Sequence, residues 1–232
     1  LARSVLFMGI VLILVLTLFG FFQSPFFRVT ELEVRGIALL EAEEVRAMMN
    51  LRGEQHIYSF SLGEMQGRIA SDPRVADVSI SRRLPGRLVV QVRERRPVAV
   101  IARGGVFALI NQDGKVLAVK SSWPGMDLPV LAEVQVSNLT LGERLDDPEV
   151  DELLRCAELL GDMSHRISQM MREEGYISLY TTETAHIMFP VDDEDAREAM
   201  EVLTDIMNEG LIESGSVIDL RIPERPVMRG TG

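Results

Sequence analysis

Residues 79–100 read SISRRLPGRLVVQVRERRPVAV. Ile80 on the way in, and Leu88, Val90 and Val92 on the way out, recur at every second position and so point to one side of a pleated ribbon. Leu84-Pro85-Gly86 between them has turn chemistry, with a fixed φ followed by a residue free to adopt any. Extended back to Arg74, which brings in Val78 on the same side, the stretch RVADVSISRRLPGRLVVQVRE is a β-hairpin. It decides the middle of a small module.

Upstream, VTELEVRG from Val29 alternates Leu32 and Val34 with Glu31, Glu33 and Arg35, which predicts a half-buried strand stopped by Gly36. LLEAEEVRAMMN then places Ala42, Val45, Met48 and Met49 on one helical face, with Glu41, Glu43 and Glu44 in the early turns and Gly53 as the expected stop. Ser61 and Glu64 make the S-x-x-E of a capping box before Leu62, Met65 and Ile69, and Asp72-Pro73 ends that helix. The order is β-α-α-β-β.

Downstream of Pro97, VAVIA, VFALI and KVLAV are separated by Gly104-Gly105 and by Asn111-Gln112-Asp113-Gly114, which predicts a three-stranded meander. Leu128-Pro129-Val130-Leu131 is an extended pass. A helix runs from Asp147-Pro148 with Val150, Leu153, Leu154, Ala157 and Leu160 buried, YISLY and AHIMF form a strand pair, and residues 192–195 open a helix with Ala196, Ala199, Met200, Leu203 and Met207 inward. Finally SVIDLRI alternates Ile218, Leu220 and Ile222 against Val217, Asp219 and Arg221. Pro223 and Pro226 follow it. Proline cannot donate to a ladder, so this strand is expected at a sheet edge, where it is capped or accepts a partner's strand. Residues 226–232 are expected to be a tail.

The 232 residues are 47% apolar and 25% charged, which is globular content and excludes wholesale disorder, collagen and a polytopic membrane protein. The charge is uneven. Residues 28–103 hold thirteen Arg and ten acids, net +3, whereas residues 104–232 hold ten bases and twenty-five acids, net −15. Two modules are expected. Ahead of both, VLFMGIVLILVLTLFGFF from Val5 to Phe22 carries no charge, in an uncharged run from Ser4 to Phe27. At ~1.5 Å per residue it reaches ~27–36 Å, the thickness of a bilayer core, so a single lipid-spanning helix is expected. A signal peptide has a shorter apolar region and a small-residue cleavage site, which FFQSPFF lacks. Arg3 before the run and Arg28 and Arg35 after it leave its orientation open.

The chemistry-bearing residues do not assemble in sequence. His56, His165 and His186 are far apart and in no metal-ligand spacing, and no Walker A, G-x-G-x-x-G or G-x-S-x-G motif occurs. Cys156 alone excludes an intrachain disulfide and sits on an amphipathic helix as a small hydrophobe. Asp192, Asp193, Glu194 and Asp195 lack the spacing of a calcium loop and suit a helix start, where carboxylates meet the positive end of the dipole. Arg82, Arg83, Arg87, Arg93, Arg95 and Arg96 cluster without an aromatic residue between Arg74 and Arg103 to stack on a base, so a solvated rim is expected and not nucleic acid. No catalytic residue, metal or cofactor is assigned, and the profile is that of a scaffold.

These pieces, in this order, resemble the FtsQ family of bacterial cell-division proteins, called DivIB in Gram-positive bacteria. The resemblance rests on the leading apolar run, V-T-E-L-E-V-R-G, Asp72-Pro73-Arg74-Val75, the hairpin with Glu94-Arg95-Arg96-Pro97-Val98-Ala99, Asp113-Gly114, Leu128-Pro129, and Ile218-Asp219-Leu220-Arg221-Ile222-Pro223. It implies an α+β fold: an anchor within residues 1–27 with its N-terminus in the cytoplasm, a polypeptide-transport-associated (POTRA) domain over 28–97, and a mixed β-rich domain with flanking helices over 98–225. It implies a non-enzymatic protein of the cell membrane and division septum, single-pass and type II, whose bulk is extracytoplasmic. The partners would be FtsB (DivIC) and FtsL, with the septal transpeptidase as a further candidate, and the FtsB-type partner would add a strand along Val217, Ile218, Asp219, Leu220, Arg221 and Ile222. Leu84 departs from the aromatic residue common before the hairpin proline, and Asn111 from the more frequent Asp. The alternative reading is another POTRA-bearing envelope assembly or secretion component.

Overall fold

The computed structural model describes residues 2–51, 53–136 and 138–230. Contacts divide the chain into two compact units, Leu1–Glu94 and Arg95–Gly232. Together they form a mixed α+β protein with five α-helices and one large sheet among the described residues.

The first unit opens with helix α1 (Ala2–Phe22), whose side chains are exposed over residues 6–22 apart from half-buried Gly9. The side chain of Val5, the expected start of the span, lies outside the described residues. Among the described residues no helix is long and apolar enough to cross a membrane.

A three-stranded sheet follows, built from β1 (Glu31–Arg35), β2 (Val75–Arg83) and β3 (Arg87–Glu94). Its order is β1-β3-β2, with β1 parallel and β2 antiparallel to β3. The hairpin register pairs Val78 with Val92 and Ile80 with Val90, the side-by-side placement that the period of two requires. Helices α2 (Ala42–Met49) and α3 (Leu62–Ala70) cover that apolar side, so Val45, Met49, Met65, Ile69, Leu88, Val90 and Val92 share one core. Burying each of the larger ones stabilises the unit by ~1.5–3 kcal/mol. Helix α2 stops at Asn50, which takes the left-handed conformation at φ 53°, and not at Gly53. Gly36 does close β1: at φ 79° a Cβ there would lie 2.1 Å from the Val92 carbonyl oxygen.

Polar side chains tie the two helices to each other and the loops around them to the sheet. The Glu94 carboxylate accepts from three successive backbone N–H groups, Ala38, Leu39 and Leu40, at 2.7–2.8 Å. Arg68 donates to the carbonyls of Met48 and Met49 at the C-terminus of α2, where the helix dipole favours a cation. Arg82 is no rim charge: it donates to the Ile57 and Phe60 carbonyls at 2.7 Å and lies over the Tyr58 and Phe60 rings.

Nine strands among the described residues make the sheet of the second unit. The meander is β4 (Pro97–Arg103), β5 (Val106–Asn111) and β6 (Val116–Lys120). The two-residue β7 (Val130–Leu131) runs parallel to both β4 and β8 (Ile167–Glu173) and so joins the meander to a second antiparallel set. That set continues through β9 (Tyr176–Thr181) and β10 (His186–Phe189). Helices α4 (Pro148–Leu160) and α5 (Asp193–Asn208) pack their apolar stripes with Ile177, Leu179, Ile187 and Phe189 from one face of the sheet. The four-acid run serves α5, where Asp192 accepts from the N–H groups of Glu194 and Asp195. Asn111, 3% exposed, accepts from the Lys115 N–H and donates to the Asp113 carboxylate. A carboxylate at 111 could not make that second bond.

Candidate functional site

The site is the end of the large sheet. Helix α5 carries the chain from β10 to β11 (Val217–Asp219), which lies parallel to β10, the usual result of a helical crossover. The chain then turns through residues 220–226 and returns as β12 (Val227–Arg229), antiparallel to β11.

This corrects the expected open edge at Val217, Ile218, Asp219, Leu220, Arg221 and Ile222. The strand spans only Val217, Ile218 and Asp219, and its own chain pairs with it on both sides. Ile218 is fully buried between Ile187 and Met228. Leu220 is buried too, its N–H bonded to the Met188 carbonyl, while Arg221 and Ile222 lie in the bend. Pro223 and Pro226 sit in the reversal, where no ladder bond is asked of them. A strand end and a reversal satisfy proline equally well. Residues 227–229, read in sequence as tail, are the terminal strand of the sheet.

Hydrogen bonding then decides which groups of β12 face outward. The Ser216 carbonyl accepts from His186 and the Leu220 N–H donates to Met188, so even positions of β11 face β10. By strand alternation Val217 and Asp219 face β12, which commits their partners Arg229 and Val227 to the ladder. The N–H and C=O of Met228 are left pointing away from the sheet, where no strand pairs with them among the described residues. Val227 and Met228 are 46% and 41% exposed, and Ile222 within the turn is 60% exposed.

A shallow groove runs alongside, lined by Met188, Val217, Asp219, Arg221, Val227 and Arg229. Asp219 accepts from the Arg221 backbone N–H, from Nε at 2.9 Å and from Nη2 at 2.7 Å, and the guanidinium lies over the Tyr176 ring. These hydrogen bonds hold the Asp219 carboxyl below its ordinary range and the Arg221 guanidinium above its own. Both remain charged at neutral pH. The arrangement offers a backbone donor and acceptor, an apolar pair and a fixed ion pair, which are the elements of strand addition.

Elsewhere, the structure brings together Ser178 and His186, 3.0 Å apart on β9 and β10, with His186 stacked on Tyr180. Among the described residues no carboxylate bonds to His186 and Ser178 is 1% exposed, so the pair has neither an orienting acid nor access. His56 bonds to the Phe22 carbonyl and His165 to that of Asp162. No group of three or more potential ligands stands ready for a metal among the described residues. Cys156 is 3% exposed and burial pushes its thiol up to about 12. At pH 8 it is therefore expected to react with iodoacetamide ~1000-fold more slowly than a free thiol, and to do so fully in urea, as mass spectrometry would show. Rapid alkylation of the folded chain would contradict that burial.

Comparison with known proteins identifies the class first. Residues 27–95 match the POTRA domain, FtsQ-type, so the first unit contains a POTRA domain. Residues 99–221 match the family described as cell division protein FtsQ/DivIB, C-terminal. The chain belongs to the FtsQ/DivIB family of bacterial cell-division proteins. Among its relatives, the cell division protein DivIB of Clostridium acetobutylicum is 20% identical over 217 residues, covering 88% of this chain and 84% of that protein. DivIB of Clostridium tetani is 27% identical over 122 residues, 53% of this chain and 46% of the relative. FtsQ of Geotalea daltonii is 26% identical over 163 residues, 68% of this chain and 59% of the relative. The chain thus spans about half the length of two of these three. Strand β12 lies beyond the residues the C-terminal family covers.

Proposed function

We propose that this chain is a membrane-anchored scaffold of the septal division machinery, without catalysis of its own, that gathers FtsB/DivIC-type and FtsL-type partners by strand addition at β12. The observation that carries this reading is the outward-facing backbone of Met228 on a terminal strand. The partner surface is centred on β12, with residues 217–222 supplying the strand beneath it and the Asp219–Arg221 pair at its flank. Residues 28–97 act as the POTRA domain and the β domain starts near residue 98.

The exposed apolar side chains of α1 support the anchor, because an apolar helix bare on all sides is at rest only in lipid or against protein. Added backbone bonds contribute only ~0.5–1.5 kcal/mol each, and β12 presents one residue's worth outright. Ordering a flexible partner costs several kcal/mol. Burial of Val227, Met228 and Ile222 must therefore supply much of the affinity.

In dividing cells a fluorescent fusion of the full chain is expected to form a midcell band, and the tagged chain to co-purify with an FtsB/DivIC-type protein. A uniform envelope ring with no such protein recovered would reject the scaffold reading.

A further inference from the structure

We propose that the junction between α1 and the POTRA unit is a collar for the bilayer interface, in which Phe26, Tyr58 and Leu84 seat among lipid headgroups and hold the unit at a fixed attitude to the membrane. This rests on α1 being the anchor.

The junction is not a flexible linker. A 3-10 turn, Pro25–Phe27, follows α1 after only Gln23 and Ser24, capped by the Ser24 hydroxyl, which accepts from the Phe26 N–H. Phe27 then enters the core of the first unit at 5% exposure while its ring stacks on Phe22 and meets Phe21 edge-on, each at 5.4 Å. One side chain thus belongs to both helix and domain. The Ile57 N–H donates to the Phe27 carbonyl and the Val29 N–H to that of Gln55, each at 2.8 Å.

His56 completes the joint. Its Nδ1 accepts from the Tyr58 N–H at 3.3 Å, so Nε2 carries the hydrogen that it donates to the Phe22 carbonyl at 2.6 Å. That carbonyl is one of the unpaired acceptors at the end of α1.

Around this joint aromatic and apolar side chains are exposed beside charged Arg28 and Glu54. Phe26 is 60%, Tyr58 52% and Leu84 55% exposed. A chain of ring contacts runs from Phe21 through Phe26 and Phe27 to His56 and Tyr58, and Arg82 lies over the Tyr58 ring. The hairpin turn that carries Leu84 belongs to the same end, since the Gly86 carbonyl accepts from Thr30 and the turn abuts the Arg28 backbone. Phenol and guanidinium groups beside apolar rings suit the headgroup layer, where one end of a side chain is dry and the other wet. Continuity with the apolar surface of α1 favours lipid over protein as the occupant.

The test uses the full chain in phosphatidylcholine vesicles. Trp123→Phe removes the single native tryptophan, and Leu12→Trp, Phe26→Trp or Tyr58→Trp adds one reporter at a time. Lipids brominated near the chain end are expected to quench the reporter at 12 at least about twofold more than lipids brominated near the headgroup, with the reverse order at 26 and 58. Adding His56→Ala should weaken quenching at 58 and leave that at 12 unchanged. Deep quenching at 12 with none at 26 or 58 overturns the collar and leaves the anchor standing. No quenching at 12 overturns both.

Discussion

Met228→Pro is expected to weaken binding of an FtsB/DivIC-type partner by ~100-fold while leaving the second unit folded. The substitution removes the one N–H of β12 that points away from the sheet and places a ring where a docking strand would lie, a loss of ~3 kcal/mol. Val227 and Arg229 keep their bonds to β11. Val227, the residue before the new proline, is already extended, as a pre-proline residue prefers.

Ile218→Pro makes the informative contrast. Ile218 is fully buried and its N–H faces β10, so proline there breaks an internal ladder and disturbs the core packed beneath α5. A cost above ~4 kcal/mol is expected, enough to unfold the unit and to remove binding for a trivial reason. Partner titration by calorimetry, with hydrogen exchange at Leu179 and Ile187 as the fold control, separates the two. Unchanged affinity in a folded Met228→Pro chain would show that partners dock elsewhere.

Most elements of the fold were legible because their periodicity is clean. The hairpin alternates without interruption from Val78 to Val92, and α4 and α5 each keep a full apolar stripe. Strand β8 was not legible, since a register shift between Ile167 and Gln169 puts Ile167 and Met170 out of phase for a period of two. Strand β12 was hidden differently. Three residues after a proline, all exposed, carry no burial pattern. The sequence therefore pointed to the right end of the sheet, where the terminal strand is β12 and not β11. What distinguishes a terminal strand from a covered one here is tertiary: the turn through residues 220–226, and the Asp219–Arg221 pair beside it. The apolar run of α1 was read from hydropathy, whereas the joint at His56 depends on a contact between residues 34 positions apart.

A second large effect is expected in the POTRA domain, where Arg74→Ala should cost ~2–4 kcal/mol at pH 7 and much less near pH 3. Arg74 is 14% exposed and grips Asp72, 10% exposed, at 2.8 Å and Glu44, 40% exposed, at 3.0 Å, pinning the start of α2 to the start of β2. Burial by itself would raise Asp72, but the side-chain and backbone hydrogen bonds of Arg74 outweigh it and hold the carboxyl below its ordinary range. Glu44 is lowered first by its bond to the Glu41 N–H and then by Arg74. Carboxyls depressed in the folded state stabilise it above their unfolded values, near pH 4, and that contribution vanishes as pH falls through the folded values. Without the Arg74 guanidinium, Asp72 keeps its burial and its bond to the backbone N–H of residue 74 but loses its ion-pair partner, so the penalty is largest where the carboxylate is charged. Hydrogen exchange at the buried Ile69 and Val90 amides, comparing parent and variant at the same pH, measures the difference directly. Equal penalties at pH 7 and pH 3 would assign the effect to lost packing of the arginine stem, and not to the ion pair.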